Sequence, residues 1–245
     1  LLEDELPIYG ELVRAFLANL DTEPTVGVCD DESVAALDAC TNDPTSIFHR
    51  RRLDYDTILE LIPKGASVLD LGCGTGGLLA RLHQRGHERL VGVELDERAI
   101  LASVRRGLDV LQADLNQGLA SFTDRQFDFV VLSQTLQAVL DVERVLNEVL
   151  RVGRQGIVSF PNMGYWKLRD YLSEQGRAPR AGTLLGYNWY DTPNVRFLSI
   201  ADFQDFCRDK RITIHQQIAF DTEAGRVVQD DPNRNADMAI VVISK

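Results

Sequence analysis

The stretch that most constrains this chain runs from Val68 to Gly77, VLDLGCGTGG. It reads as a short buried strand, a glycine turn and the start of a helix. Val68, Leu69 and Leu71 supply the apolar strand, and Gly72, Gly74 and Gly76 let the backbone turn tightly and approach a ligand closely. Leu78, Leu79 and Leu82 follow at helical spacing, with Gly86 as the stop. A second buried strand, Leu90 to Glu94, ends in an acid. Strand, glycine turn, helix, strand and acid form the mononucleotide-binding half of a Rossmann-like sheet.

Asp70 decides which nucleotide suits the turn. Gly72, Gly74 and Gly77 satisfy G-x-G-x-x-G, so the glycines alone admit a dinucleotide. A carboxylate at the strand tip would face its pyrophosphate, and like charges about 4 Å apart cost roughly 4 kcal/mol at an effective dielectric near 20. S-adenosylmethionine (SAM) has no phosphate and carries a cationic sulfonium and ammonium, which Asp70 suits. Glu94 suits either ligand, because both offer ribose hydroxyls. The plain alternative is a glycine-rich corner that binds nothing.

Further along, strands and helices alternate. A helix is expected from Leu53 to Leu61, stopped by Pro63 to Gly65, and another over Arg98 to Arg106. Val110 to Asp114 and Phe127 to Ser133 read as the third and fourth strands, Val142 to Val152 as a helix, and Gly156 to Phe160 as the fifth strand, stopped by Pro161 and Asn162. Such alternation means a parallel sheet with helices on both faces, whose ligands sit outside the carboxyl ends of the strands. Asp70, Glu94, Asp114 and Ser133 all fall at that edge. Ile200 to Lys210 reads as a helix. Ile212 to Ala219 and Met238 to Ile243 read as an antiparallel strand pair closing the sheet.

Two stretches differ from this frame. Residues 1–45 carry 11 acids and one base, whereas the remaining 200 residues carry 26 acids and 25 bases. The nearly neutral main domain, 46–245, argues against nucleic acid as a partner. The acidic leader reads as an amphipathic helix from Pro7 to Leu20, then a linker with a short helix near Ser33 to Ala39. The second stretch, 163–198, gathers both tryptophans, Trp166 and Trp189, with Tyr187, Tyr190, Arg180 and Arg196. It is expected to be an insertion at the ligand edge, acting as a lid, a partner surface or a small satellite core. His49 reads as structural and Arg50 to Arg52 as a solvated face. No run of eighteen apolar residues exists, so no membrane span is expected. The four cysteines, Cys29, Cys40, Cys73 and Cys207, form no Cys-x-x-Cys pair and read as reduced thiols in a cytoplasm, without a metal site.

Asp70 to Gly76 with Glu94 resembles the first motif and ribose acid of class I SAM-dependent methyltransferases. Three further stretches, LSQTLQAV (132–139), VSFPN (158–162) and WYDTPN (189–194), resemble the MetW family of methionine biosynthesis proteins, over about Leu53 to Ala219. The resemblance implies a methyltransferase-like domain that works with homoserine O-acyltransferase. It also implies roles: Gly72, Gly74 and Gly76 admit the methionine part of SAM or of S-adenosylhomocysteine, Asp70 attracts its cationic end, and Glu94 accepts from the ribose. Asp114 accepts from the adenine amino group, and Leu115 packs on the ring. Leu1 to Leu17 resembles the C-terminal end of homoserine O-acetyltransferase, which would make residues 1–45 the tail of a fused acyltransferase. One departure bears on chemistry: Ala138 stands where many small-molecule methyltransferases carry a histidine, which argues against proton-coupled methylation. Methyl transfer to a good nucleophile could still run on positioning alone, so an active methyltransferase on a small molecule is the alternative.

Overall fold

The computed structural model describes residues 53–179, 188–190 and 192–245. The expectations for residues 1–45, for His49 to Arg52, and for Arg180 and Tyr187 lie outside the described residues. The elements, in order, are α1 (Leu53–Leu61), β1 (Val68–Leu71), α2 (Gly77–Gln84), β2 (Leu90–Glu94), α3 (Glu97–Arg105) and β3 (Val110–Gln112). They continue with β4 (Phe127–Ser133), α4 (Val142–Val152), β5 (Gly153–Pro161), α5 (Trp166–Gln175), α6 (Ile200–Asp209), β6 (Thr213–Asp221), β7 (Arg226–Val227), α7 (Pro232–Asn235) and β8 (Met238–Ser244). Short 3-10 turns at Leu115–Gln117 and Leu136–Ala138 follow β3 and β4.

Among the described residues the strands form one sheet, ordered β3-β2-β1-β4-β5-β8-β6-β7. The first five are mutually parallel; β8 runs antiparallel between β5 and β6, and β7 makes a hairpin with β6. The fold is therefore a mostly parallel Rossmann-like sheet with an antiparallel C-terminal part. The chain leaves β1 in one direction, through β2 and β3, then returns to build β4 and β5 on the other side. In sheets of this topology ligands bind at that switch, here outside the carboxyl ends of β1 and β4.

Every residue of β1 is buried, as a strand covered on both faces requires. Alternation sends Val68 to the cluster formed with α1 and α2, and Leu69 and Leu71 to the cluster formed with α4 and α6. α4 shows the same logic at helical period. Val145, Leu146, Val149, Leu150 and Val152 are buried, and the Asp141 side chain accepts the Arg144 N–H to start the helix.

Several boundaries differ from expectation. β3 ends at Gln112, so Asp114 is not a strand residue; it caps the 3-10 turn, accepting the Asn116 N–H at 2.9 Å. β5 begins three residues early, because α4 runs straight into it. A Cβ on Gly153 would stand 2.7 Å from Val130 Cγ2 on β4, and one on Gly156 2.7 Å from Val149 Cγ1 on α4, so these glycines admit close contacts with the neighbouring strand and helix. The aromatic insertion contains a helix, α5. β7 and α7 were not expected; two and four residues are too short to show a period.

The Pro161–Asn162 pair ends β5 by tying the sheet to three later segments. Asn162 is fully buried. Its Nδ2 donates to the carbonyls of Asn233 and Ala236 at 2.9 and 2.7 Å, and its Oδ1 accepts the N–H of Gly164 and Ile200 at 3.0 and 3.1 Å. One amide thus joins α7, the turn before α5 and the start of α6. No helix among the described residues is long and apolar enough to cross a membrane.

Asp237, at the start of β8, is 1% exposed and accepts the N–H and hydroxyl of Thr222. Burial pushes its carboxyl up to about 6, against those hydrogen bonds and with the help of the Asp221 charge. The folded state therefore holds this proton more tightly than the unfolded chain. Its stabilising effect is present below the ordinary carboxylate range and is lost as pH rises through about 6. Asp237→Asn keeps an acceptor for the Thr222 N–H and removes the charge. Thermal denaturation across pH 4–7 should show the variant matching wild type near pH 4 and exceeding it by up to about 3 kcal/mol at pH 7. A difference that does not change with pH would contradict this.

Candidate functional site

The loop after β1 is fastened to the end of β2. Gly72 and Cys73 donate their N–H groups to the Val93 carbonyl at 2.8 and 3.1 Å. The next donor, Gly74 N–H, reaches Glu94 Oε2 at 2.8 Å. Glu94 Oε1 accepts from the N–H of Leu95 and Asp96 at 2.7 and 3.0 Å. The expected ribose acid is thus also the clamp of the glycine loop. A carboxylate offers about four lone-pair sites, so Oε2 keeps capacity for one more donor.

The three loop glycines divide by what surrounds them. A Cβ on Gly72 would stand 2.6 Å from Thr135 Oγ1, and one on Gly76 would stand 2.4 Å from Leu108 Cδ1. Both answer to internal packing. Gly74, at φ +56°, has nothing within 4 Å of its Cβ position. It alone opens onto free space. Asp70, 2% exposed, points to the α1 and α2 side of β1. Burial first, and then the charges of Asp70 and Glu94, push the Cys73 thiol well above its ordinary range. Two carboxylates, Asp70 and Glu94, thus stand beside the loop, an arrangement compatible with a cationic ligand.

Asp114 and Leu115 stand beyond β3. Asp114 Oδ1 is occupied by the Asn116 backbone and side-chain nitrogens, both at 2.9 Å, and Leu115 is half-buried against the core. Ala113 donates its N–H to the Glu94 carbonyl at 3.0 Å, which sets this turn beside Glu94.

Ser133 closes β4 at the expected edge, but its hydroxyl is engaged. It donates to Asp54 Oδ2 at 2.7 Å, and Ser159 donates to the same oxygen at 3.3 Å. Asp54 is fully buried on α1 and was not singled out from the sequence. The available signal was an acid four residues before the buried Ile58, on the same helical face. The segment after β4 is held from within as well. Gln137 Nε2 donates to the Gln134 carbonyl at 2.7 Å, and Ala138 is exposed. No cluster of metal-ligating side chains occurs among the described residues. A cleft of about 660 Å³ along α4 is lined by Arg151 and Glu148, which bond each other.

Comparison with known proteins places this geometry. The family model described as "Methionine biosynthesis protein MetW" matches residues 52–243. The "Bifunctional methionine biosynthesis protein MetXA/MetW" of Rhodopirellula baltica is 40% identical over 255 residues, covering 100% of this chain and 38% of that protein. The chain therefore spans well under half the length of that relative. Among solved structures, a SAM-dependent methyltransferase from Mesorhizobium loti superimposes with a TM-score of 0.60 at 17% identity, over 79% of this chain and 98% of that one. A SAM-dependent methyltransferase from Thermotoga maritima, described as a possible histamine N-methyltransferase, gives 0.56 at 22% identity, over 79% and 90%. These two likenesses establish the class I methyltransferase fold. Matched by the family model over most of its length and by a 40%-identical relative over all of it, the chain belongs to the MetW family of methionine biosynthesis proteins.

Proposed function

We propose that this chain binds SAM and serves methionine biosynthesis by supporting or regulating a homoserine O-acyltransferase. The observation that carries the partner is the R. baltica relative, whose name joins MetXA and MetW in one polypeptide and which matches this chain over its full length. Residues 1–51 fall outside the family model yet inside that match. This supports reading residues 1–45 as the counterpart of the end of an acyltransferase portion.

The site suits the cofactor on three counts. The open space over Gly74 accommodates the methionine part close to the backbone, the Asp70 and Glu94 carboxylates beside the loop are compatible with its cationic end, and Glu94 Oε2 retains a site for a ribose hydroxyl. Asp114 would accept from the adenine amino group, with Leu115 against the ring. Ser133 would act by holding the end of β4 to Asp54. When bound, SAM supplies an electrophilic methyl group, and S-adenosylhomocysteine would occupy the same loop. The segment after β4 offers no evident base: Ala138 is exposed and Gln137 is tied to the Gln134 carbonyl. That favours a sensing or supporting role over methylation of a small molecule.

Calorimetric titration with SAM should show binding by the full chain. Glu94→Ala should weaken it by roughly tenfold or more, since a charged acceptor is worth about 1.5–3 kcal/mol, and should lower the melting temperature because three N–H groups lose their partner. SAM affinity unchanged in Glu94→Ala would reject the ribose assignment. Incubation with methyl-labelled SAM and a cell extract should leave the label in SAM, while the chain changes the rate of homoserine acylation by the acyltransferase. Catalytic transfer of label to a defined acceptor would instead establish the methyltransferase reading.

A further inference from the structure

A group of large apolar side chains near the segment after β4 stays exposed. Trp189, Tyr190 and Phe197 expose 75%, 71% and 72% of their surface, beside Leu140 at 60% and Val195 at 45%. All but Leu140 belong to one stretch, residues 188–190 and 192–198. The Trp189 and Tyr190 rings meet edge to face with centroids 5.6 Å apart. The Thr192 N–H closes a turn onto the Asn188 carbonyl at 3.1 Å, and the N–H groups of Val195 and Arg196 donate to the Gln137 carbonyl at 2.9 and 3.0 Å. The Arg196 guanidinium reaches across to the Leu140 carbonyl. Backbone hydrogen bonds thus hold Thr192, Val195 and Arg196, while the three aromatic side chains near them stay exposed.

Its size is that of an interface. Exposed aromatics contribute on the order of 150 Å² each, and the two aliphatic side chains bring the summed exposed surface to roughly 600 Å². That is at the upper limit of the largest patch on an ordinary monomer and most of the roughly 800 Å² that one partner contributes to a standard complex. Interfaces between domains of one chain bury about 600–1,500 Å² in total, a range this patch can serve. Trp, Tyr and Arg are also the side chains that dominate binding energy where two proteins meet.

We infer that the strap formed by residues 188–190 and 192–198 is the surface on which the homoserine O-acyltransferase docks. The inference rests on the function proposed above. It takes its occupant from the R. baltica relative, in which sequence like this chain accounts for 38% of a polypeptide whose name also includes MetXA.

The test uses the full chain and the homoserine O-acyltransferase of the same organism, with affinity measured by calorimetry and stability by thermal denaturation. Wild type should bind. Trp189→Ala should weaken the complex about thirtyfold and Phe197→Ala should weaken it measurably, with melting temperatures close to wild type because both side chains are exposed. Wild-type binding that neither substitution weakens would overturn the surface and leave the proposed function standing. No wild-type binding would overturn the proposed partner itself. A large loss of melting temperature with unchanged affinity would make Trp189 a packing residue and overturn the inference. Self-association of the chain alone that Trp189→Ala abolishes would assign the strap to a second copy and also overturn it.

Discussion

The Glu94 carboxylate holds the site together. It stands at the end of β2 and gathers three backbone N–H groups, one from the glycine loop and two from the start of its own loop. Charge-assisted bonds of this kind are shorter and stronger than neutral ones. They fix the loop against the sheet without a side chain from the loop itself, which leaves the space above Gly74 clear. An acceptor that also shapes the loop beside it is preorganised, because any ligand there would meet it already fixed in place.

The same economy recurs around β4. Thr135 fills the volume that a side chain on Gly72 would need, Gln137 tethers the strap, and Asp54 ties the ends of β4 and β5 to α1. The cofactor loop, the segment after β4 and the aromatic strap are therefore consecutive contacts. A displacement of the loop after β1 would be felt at Thr135 and transmitted by backbone hydrogen bonds to residues 195 and 196. Coupling of this kind acts only if the two ligands distinguish two arrangements of the segment.

Much of this was legible in the sequence, and the physical reason is burial. Strands covered on both faces read as continuous apolar runs, so β1, β2 and β4 could be placed to the residue. α4 was marked by its period. Beyond Leu111 the apolar pattern lapses, and the third strand was drawn too long; the cap at Asp114 is a polar interaction that hydropathy does not register. The glycines of the loop were visible, but the reasons for Gly72 and Gly76 are Thr135 and Leu108, contacts made by the fold. Asp54 was hidden for the same cause, since its partner Ser133 lies 79 residues away. The VSFPN stretch was distinctive as a pattern. Its Asn162 proves to be a tether between elements that no local reading could bring together.

The place of β8 carries a consequence for how the domain comes into being. Its strand is the last described in the chain, yet it lies inside the sheet, bonded to β5 on one side and β6 on the other. The five parallel strands through Pro161 can assemble as the chain leaves the ribosome, but the β6–β7 hairpin cannot join them until residues 238–244 have been made. The open side of β5 must wait through some eighty residues of synthesis, at about 5–20 residues per second, as an unpaired strand edge of the kind that invites association with other chains. Completion of the sheet is thus a late, long-range event. Substitutions in β8 should affect yield during expression more than their effect on the finished protein would suggest.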